Sequence, residues 1–533
     1  MFQTVKSFNE NKKIIFKSLI YTFVWGLVAH AYMFFNNNLS HDSLSEINAE
    51  LYSNIWKIQA GRVFVPIYRL LTHTSIALPW LIGFFSLLWI GMGVFFVVKL
   101  FDIKSDALIF LVSAIFSANI TVTATAASYI HDLDCNMFAM LLAVTAVYLW
   151  KKYENGFLFG ALCLALSMGL YQSYISVALT LTLFVLISNI LNYSTTREVV
   201  KKGLKSIAMF LLSGAVYFIA IKTIPNLIGT VLSSGHNNSI DILTNISLTS
   251  LIPGIIKACY NCIYQFLTPV YSFPETAVRI ISIAIFALIV ILVIVNLFDK
   301  KTTISNKLLL ILLVGLTPLA MNITSVLASG MIHTLMTYSF WLFYLLAIIL
   351  SVDFAKKRNN HTNIKISLTM LPSIISAVCI MLIFINNIQV ANSVYFKKDL
   401  EHEATQNLFV KISYDLQNFD SYVAGETPVV FVNEPSCLNS SIPGFEKFER
   451  IIGADKTYGL SFTQKNRIQM YFDYYLVTPI LLAEDEYWYE MRESEHVKEM
   501  PDYPAKGSIA TIDGIVVVKL SSTESEVAPT YEY

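Results

Sequence analysis

The sequence is poor in charged residues and has no excess of either sign. Asp, Glu, Lys and Arg make up 14% of the 533 residues, and 37 basic side chains balance 37 acidic ones. Ordinary soluble proteins have about a quarter charged residues. The balance also argues against the strongly basic surface that nucleic acids require, so we expect no nucleic-acid partner. Because 55% of the residues are hydrophobic, the composition excludes a typical soluble domain.

Cysteine is scarce, and its six residues are scattered. Only Cys259 and Cys262 have a spacing that also occurs in redox and metal pairs. No second Cys or His pair with zinc-finger spacing lies near them, so we expect two packed helix positions and no zinc site. The sequence gives no support for a divalent metal elsewhere, and no other cofactor is predicted.

Long apolar runs recur along most of the chain. A helix needs about 20 predominantly apolar residues to cross the ~30 Å hydrocarbon core of a bilayer. The runs predict an α-helical polytopic membrane protein with about eleven transmembrane helices. They lie near residues 14–35, 78–100, 106–125, 135–150, 157–170, 174–192, 204–224, 278–298, 307–327, 333–352 and 366–388.

The loops between these runs alternate between basic and nearly free of Lys and Arg. Basic loops stay on the cytoplasmic side of a membrane. The alternation therefore predicts a cytoplasmic N-terminus and a C-terminus on the outer side. Two outer loops are long, 36–77 and 225–277. We predict a transmembrane domain over 1–390 and a small outer α/β domain over 391–533.

In the C-terminal part, acidic residues are frequent and no run is long enough to span a membrane. Two apolar stretches rich in β-branched residues, 428–432 and 514–520, predict buried strands. A helix over 391–416 is expected to leave the membrane and lead into this domain.

The stretch from Asn36 to Glu46 follows the first apolar run and holds two carboxylates, Asp42 and Glu46. Asp42 either caps a helix or performs chemistry, and Glu46 is placed to complete a capping box. Apolar residues at helical spacing from Leu44 to Ile58 predict one amphipathic helix in the membrane interface. Lys57 is off the apolar stripe, on the polar side of that helix.

Further polar residues next to apolar runs lie on the same predicted side of the membrane. Charged groups near hydrocarbon are costly and usually face a cavity or a partner. Their clustering predicts an outer pocket that holds carboxylates and cations. The set consists of Arg62, Asp132, Asp134, Tyr171, Gln172, Lys222, Arg279 and His333.

Each of these residues also has a structural alternative. The acidic pair can cap the helix that follows it and favour its dipole. The three cations can anchor their segments at lipid headgroups. The remaining side chains, Tyr171, Gln172 and His333, can form hydrogen bonds with the unpaired backbone groups at helix ends.

Such a pocket suits the transfer of a sugar from a lipid-phosphate donor. Arg and Lys side chains bind phosphate, which is the leaving group of such a donor. A carboxylate can take the proton from an attacking hydroxyl, which is typically worth ~10²–10⁴ in rate. The residues therefore favour a membrane glycosyltransferase.

The order of the motifs resembles that of GT-C glycosyltransferases and, more narrowly, of the phage-type serotype-converting O-antigen glucosyltransferases (the Gtr family). The resemblance covers about residues 14–420. In the first acidic motif the family often has two adjacent acidic residues, whereas this sequence has His41-Asp42 there. The resemblance therefore does not imply a metal at that position. The matching features are His41-Asp42 after an Asn-rich stretch, Gly61-Arg62, His131-Asp-Leu-Asp134, Gly169-Leu-Tyr-Gln-Ser-Tyr174 and Asn392-Ser-Val-Tyr395.

The resemblance implies a GT-C-like bundle in the bacterial inner membrane with its site facing the periplasm. The implied donor is undecaprenyl-phosphate-glucose or a similar lipid, and the acceptor is an O-antigen repeat unit of lipopolysaccharide. A donor synthase and a small flippase are the implied partners. Asp42 maps to the catalytic base, and Asp132 and Asp134 map to a second acidic motif. The implied substrate-binding residues are Glu46, Arg62, Tyr171, Gln172, Lys222, Arg279 and His333.

Three other functions stay open at this point. One is a transporter or flippase for a lipid-linked saccharide. Another is a GT-C transferase that acts on lipid A or on protein. The third is a non-catalytic component of O-antigen assembly.

Overall fold

The structure is a computed structural model of the chain. It describes residues 2–37, 39, 42–47, 51–73, 76–232, 248–268, 275–328, 333–359, 370–439, 441–451, 453–454, 462 and 464–522.

Long apolar helices form most of the chain up to residue 417. Among the described residues, ten helices are long and apolar enough to cross a membrane, and Gly156–Leu170 is a shorter apolar helix. They coincide with the eleven predicted runs, so the predicted class of polytopic helical membrane protein is confirmed. The helices are α1 (Phe2–Phe35), α2 (Asp42–Ser45), α3 (Leu51–Gln59), α4 (Val65–Thr72), α5 (Pro79–Leu100), α6 (Asp106–Ser117), α7 (Ile120–Ser128), α8 (Leu133–Lys152), α9 (Gly156–Leu170), α10 (Ile175–Leu191), α11 (Thr196–Ile228), α12 (Leu248–Leu267), α13 (Glu275–Leu297), α14 (Ile304–Met321), α15 (Ile323–Leu327), α16 (Leu342–Asn359) and α17 (Leu371–Gln417).

The chain divides into two compact units, which we call the membrane unit and the composite unit. The boundary at Asn392 falls within α17, and two short earlier segments belong to the second unit. The membrane unit contains Met1–Phe35, Ala49–Ala126 and Ile130–Asn392, and the composite unit contains Asn36–Asn48, Ala127–Tyr129 and Ser393–Tyr533.

The membrane unit is built around α8. This helix packs against α5, α9 and α10, while α1 packs against α5 and α6. Small residues allow some of these close approaches, as is common between membrane helices. A Cβ added at Gly160 of α9 would lie 2.8 Å from the carbonyl oxygen of Ala146 on α8. This contact lies in the second half of α8, and the candidate site lies at the start of the same helix.

The amphipathic helix predicted from Leu44 to Ile58 is instead two helices. α2 ends at Ser45 and α3 begins at Leu51, with Glu46 and Ile47 in a turn. The apolar stripe therefore continues across a break in the helix. A periodic apolar stripe in the sequence therefore does not require that one continuous helix carries it.

The composite unit contains a four-stranded sheet in the order β2-β1-β4-β3. β1 pairs in parallel with both β2 and β4, and β3 pairs antiparallel with β4. The two predicted strands are confirmed as β1 and β4, and with them the small α/β region of the predicted fold class. The strands are β1 (Pro428–Val432), β2 (Leu481–Leu482), β3 (Ile509–Ile512) and β4 (Ile515–Lys519).

Helices cover this sheet. On one face, Val430 and Val517 pack with Met491 and Val497 of two short helices. On the other, Phe409 of α17 stacks on Phe462 with ring centroids 4.1 Å apart. The helices after β1 are α18 (Lys465–Met470), α19 (Asp485–Glu493) and α20 (Glu495–Glu499), and a π-helical turn, Tyr471–Leu476, follows α18.

Candidate active site

Asp132 lies directly before α8 and is enclosed by cations. Lys57 Nζ lies 2.5 Å from its Oδ2 atom, and the two side chains are each 4% exposed. Arg69 Nη2 donates to Oδ1 over 2.9 Å from an equally buried position. His131 Nε2 lies 3.5 Å from Oδ2. Buried charges are stable only when they are paired, and here one carboxylate pairs with two strong cations.

The turn at Gly61 brings these cations to the carboxylate. The Arg62 N–H donates to the Lys57 carbonyl over 2.8 Å, and the Gly61 N–H donates to the Ile58 carbonyl over 3.0 Å. Gly61 has a φ of +76°. These bonds form a Schellman motif, in which a glycine in the left-handed region ends a helix. α3 therefore stops there, and the chain turns into α4, which carries Arg69.

A hydrogen-bonded node fixes this turn against two membrane helices. Gln172 Nε2 donates to the Ala60 carbonyl and to the Tyr217 hydroxyl, each over 3.0 Å. Tyr217 in turn donates to the Gly61 carbonyl over 3.1 Å. The Phe64 N–H donates to the Gly169 carbonyl at the end of α9 over 2.9 Å. Gln172, predicted to bind substrate, thus bonds to the backbone of the turn.

Arg62 is the most accessible cation of this group. Its side chain is 28% exposed, and Nη1 lies 3.6 Å from Asp132 Oδ2, which is longer than a hydrogen bond. Its guanidinium carbon lies 4.6 Å from the centroid of the Tyr171 ring. An arginine over an aromatic face is held in place and keeps N–H groups for another acceptor. Burial raises the pKa of Tyr171, so its ring stays neutral.

Asp134, two residues further along in the first turn of α8, is fully buried and is hydrogen-bonded within the protein. It accepts hydrogen bonds from the Tyr68 hydroxyl over 3.0 Å and from the Cys135 N–H over 2.8 Å. His73 Nε2 lies 3.7 Å from Asp134 Oδ1, the oxygen that accepts from the Cys135 N–H. The Tyr68 hydroxyl also accepts from Trp89 Nε1 over 2.9 Å. Burial, with the nearby Asp134 charge, raises the pKa of Tyr68, so this phenol remains a donor.

The side chains around Asp132 and Asp134 form one cluster, and this cluster has an excess of positive charge. Lys57, Arg62 and Arg69 provide three cations, and Asp132 and Asp134 provide two carboxylates, which leaves one positive charge when the histidines are neutral. Charge is poorly screened in a buried site. The site is therefore suited to an anionic group that approaches the exposed edge of Arg62.

The remaining predicted residues of the membrane unit are not in contact with this cluster in the part that the structure describes. Lys222 is exposed, with Nζ 5.8 Å from the ring of its helix neighbour Phe218. Arg279 is exposed on α13. His333 precedes a short 3-10 helix, Thr334–Met336, and burial lowers its pKa. Their roles as substrate-binding residues stay predictions.

The first acidic motif belongs to the composite unit. Asp42 is the first residue of α2, and its side chain lies outside the described residues. The next residue is held firmly, because the Ser43 hydroxyl donates to the Ser128 carbonyl over 2.9 Å. Glu46 is 9% exposed and follows the helix. The backbone is thus described from residue 42 to residue 47, whereas the catalytic role of Asp42 stays a prediction.

Metal ligands do not gather in the described part of the chain. No group of three or more His, Cys, Asp and Glu side chains there could hold a metal ion. Cys259 and Cys262 both lie on α12 as free thiols, and Cys262 is buried.

Three residues of the cluster were missed in the sequence. Lys57 was placed on the polar side of an interfacial helix, and Tyr68 and Arg69 lay in a short apolar piece. Arg69 carried a usable signal, since an arginine inside the apolar run Val63–Leu71 needs a buried carboxylate partner. The burial of Lys57 had no comparable signal, because its partner Asp132 is 75 residues away.

The fold and the cluster define a polytopic membrane protein with a largely buried, positively charged site. The sequence profile of the family described as glucosyl transferase GtrII matches residues 31–344. The chain belongs to this family, which confirms the predicted Gtr-type resemblance and identifies a glycosyltransferase. The match includes the whole cluster and α2, and it ends before α17 and the sheet. Comparisons with curated proteins and with solved structures found no match.

Proposed function

We propose that the protein transfers glucose from a polyprenyl-phosphate donor to a hydroxyl of an O-antigen repeat unit. Membership of the glucosyl transferase family supports the transfer of a glucosyl group. The alternation of basic loops supports a site on the periplasmic face of the bacterial inner membrane. Undecaprenyl-phosphate-glucose is the proposed lipid donor. A donor synthase and a small flippase are the proposed partners.

The observation that carries the proposal is the position of Arg62. Its guanidinium is stacked on Tyr171, is 28% exposed, and lies at the edge of a cluster with an excess positive charge. A phosphodiester in the donor has one negative charge. Arg62 is proposed to bind its non-bridging oxygens through two N–H groups and to stabilise the phosphate as it leaves.

The general base is proposed to be Asp42. Within the membrane unit, Asp132 pairs with Lys57 and Arg69, and Asp134 accepts from Tyr68. The oxygens of both carboxylates are thus already occupied by partners within the protein. Asp132 and Asp134 are therefore proposed to hold the cations and the start of α8, and Asp42 remains as the base.

The proposed reaction is a displacement at the anomeric carbon of the donor sugar. The acceptor oxygen forms a bond to that carbon while its proton moves to the Asp42 carboxylate. The bond between the anomeric carbon and the phosphate oxygen breaks, and its electron pair leaves with the polyprenyl phosphate. The proton on Asp42 then passes to solvent, so the protein is unchanged at the end of the cycle.

The phosphate role is tested by Arg62→Ala and Arg62→Lys. We expect Arg62→Ala to raise the donor KM by about 10- to 100-fold, because a hydrogen bond to a charged group is worth about 1.5–3 kcal/mol. Arg62→Lys restores the charge without the planar fork and should recover part of the loss. Lys104→Ala, at an exposed lysine outside the predicted site, is the control. An unchanged donor KM in Arg62→Ala would contradict the assignment.

The reaction itself is tested in cells. Asp42→Asn should reach the membrane in normal amounts and abolish transfer, and full activity would exclude Asp42 as the base. The mass of the lipopolysaccharide repeat unit should increase by one hexose only when the active chain is present. If the repeat-unit mass is unchanged and glucose is found on lipid A or on protein, that molecule is the acceptor and the O-antigen proposal is wrong. Glucolipid crossing the membrane without any transfer would support a transporter.

A further inference from the structure

The C-terminal α/β region lies beyond the residues that the family profile matches, and no role is assigned to it. We propose that it positions the Asp42 segment for catalysis, with Tyr475 and Gly453 as the positioning residues. The inference rests on the proposed role of Asp42 as the base. It concerns contacts within the composite unit only, where segments 36–48 and 127–129 pack with the C-terminal region.

The first contact is a hydrogen bond to the segment that leads into α2. The Tyr475 hydroxyl donates to the Asn37 carbonyl over 3.1 Å. The Tyr475 ring is held by His402, with ring centroids 4.7 Å apart, and by Tyr471 at 5.2 Å. Burial raises the pKa of Tyr475 to about 12, so the hydroxyl stays a donor at neutral pH. The π-helical turn that carries it is a rare geometry that occurs frequently at functional sites.

The second contact is the packing of α2 itself. α2 packs against α18, and Ser43 and Leu44 of α2 are almost fully buried. An isolated helix of four residues is not stable in water, because nucleating the first turn is unfavourable. α2 therefore depends on its tertiary neighbours, and α18 is the C-terminal one.

The third contact acts through the segment 127–129. Gly453 has a φ of +88°, and a Cβ added there would lie 2.7 Å from the Ala127 Cβ and 2.8 Å from the Ser128 nitrogen. The Ser128 carbonyl accepts from the Ser43 hydroxyl, next to Asp42. The backbone at Gly453 thus passes close to Ser128, whose carbonyl accepts the hydrogen bond from α2.

Through these contacts the C-terminal region holds the backbone that carries Asp42. A catalytic group that is displaced by about 1 Å can lose about 10²-fold in rate. Loss of the contact at Tyr475 or at Gly453 should therefore lower kcat while the binding of the lipid donor, proposed to depend on Arg62, is retained. A general loss of folded protein would instead lower the amount of active enzyme and leave kcat per folded molecule unchanged.

The main test compares Gly453→Ala with Gly444→Ala in the full chain. Gly444 has a φ of +85° with nothing within 4 Å, so both variants impose the same backbone strain. Only Gly453→Ala displaces Ala127 and Ser128. We expect it to lower kcat at least about 10-fold per folded molecule with the donor KM within about twofold of wild type. Gly444→Ala should keep near wild-type kcat.

A second pair of variants, each of which removes only one hydroxyl, tests the inference if Gly453→Ala does not fold. Tyr475→Phe removes the bond to Asn37, whereas Tyr474→Phe changes an exposed neighbour in the same turn. We expect a several-fold loss of kcat in Tyr475→Phe alone. Asp42→Asn is assayed in parallel. If Asp42→Asn is active, the proposed base is wrong. If Asp42→Asn is inactive while Gly453→Ala and Tyr475→Phe have the same kcat as their controls, the positioning inference is wrong. The proposed role of Asp42 as the base is then retained.

Discussion

Lys57 Nζ lies 2.5 Å from Asp132 Oδ2, and the pair is almost completely removed from solvent. The same carboxylate also accepts from Arg69. Asp132→Asn leaves both cations without this carboxylate, whereas Lys57→Met leaves Asp132 paired with Arg69. Breaking a buried pair by removing one partner typically costs about 3–5 kcal/mol. We expect Asp132→Asn to lie in that range and Lys57→Met to cost less, as measured by unfolding in detergent micelles.

The double variant makes this prediction sharper. Lys57→Met combined with Asp132→Asn removes one charge of each sign, so its destabilisation should be smaller than the sum of the two single changes. Additive costs would mean that the pair is not energetically coupled.

Tyr68→Phe removes the hydroxyl that joins Asp134 to Trp89. The variant leaves a buried carboxylate with one donor fewer and leaves the indole N–H without its acceptor. The cost of an unsatisfied buried group is about 1–3 kcal/mol. We expect a loss of stability in that range, measured by the same unfolding assay. Tyr153→Phe, at a tyrosine that is 54% exposed, should be silent.

Gly61→Ala should weaken donor binding as well as stability. A Cβ at Gly61 would lie 2.8 Å from the Tyr217 hydroxyl and 2.9 Å from Gln172 Nε2, so the node that fixes Arg62 must shift. Gly229 has a φ of +77° with nothing within 4 Å and serves as the matched control. A left-handed alanine costs about 1–2 kcal/mol in either variant. Only Gly61→Ala should also raise the donor KM, and equal KM values would show that the node does not control Arg62.

Exposed cations near the ends of membrane helices should contribute little to the reaction. Lys222 lies against Phe218 and is exposed, and Arg279 is exposed on α13. Long cationic side chains at such positions commonly reach lipid headgroups. We expect Lys222→Ala and Arg279→Ala each to change donor KM and kcat by less than about threefold, a free-energy change below about 0.7 kcal/mol. A larger rise in KM would support the predicted role in substrate binding.

Hydrophobicity alone predicted the helical fold. The number and order of the membrane helices follow from the length of apolar runs, and strands β1 and β4 follow from short runs rich in valine. These features are local, because a bilayer or a buried sheet acts on each segment separately. The break between α2 and α3 was not predictable, since the apolar stripe from Leu44 to Ile58 has the same period on either side of it.

The candidate site was predicted in part. The sequence singled out Arg62, Asp132 and Tyr171, which the structure brings together. It did not reveal that Lys57 is the closest partner of Asp132, because pairing across 75 residues depends on how helices pack. Gln172 was predicted to bind substrate, which stays a prediction, and its amide bonds to the Ala60 carbonyl in the turn. An amide near a site in sequence is equally able to support the backbone of that site.

The bond between Tyr475 and Asn37 also has a consequence for the time course of synthesis. The two residues are 438 positions apart. At a translation rate of about 5–20 residues per second, Asn37 waits about 20–90 s for this partner. Throughout that interval the Asp42 segment lacks a contact that forms only after Tyr475 has been made. A nascent or truncated chain that ends before Tyr475 is therefore expected not to transfer sugar, even when its membrane helices have inserted.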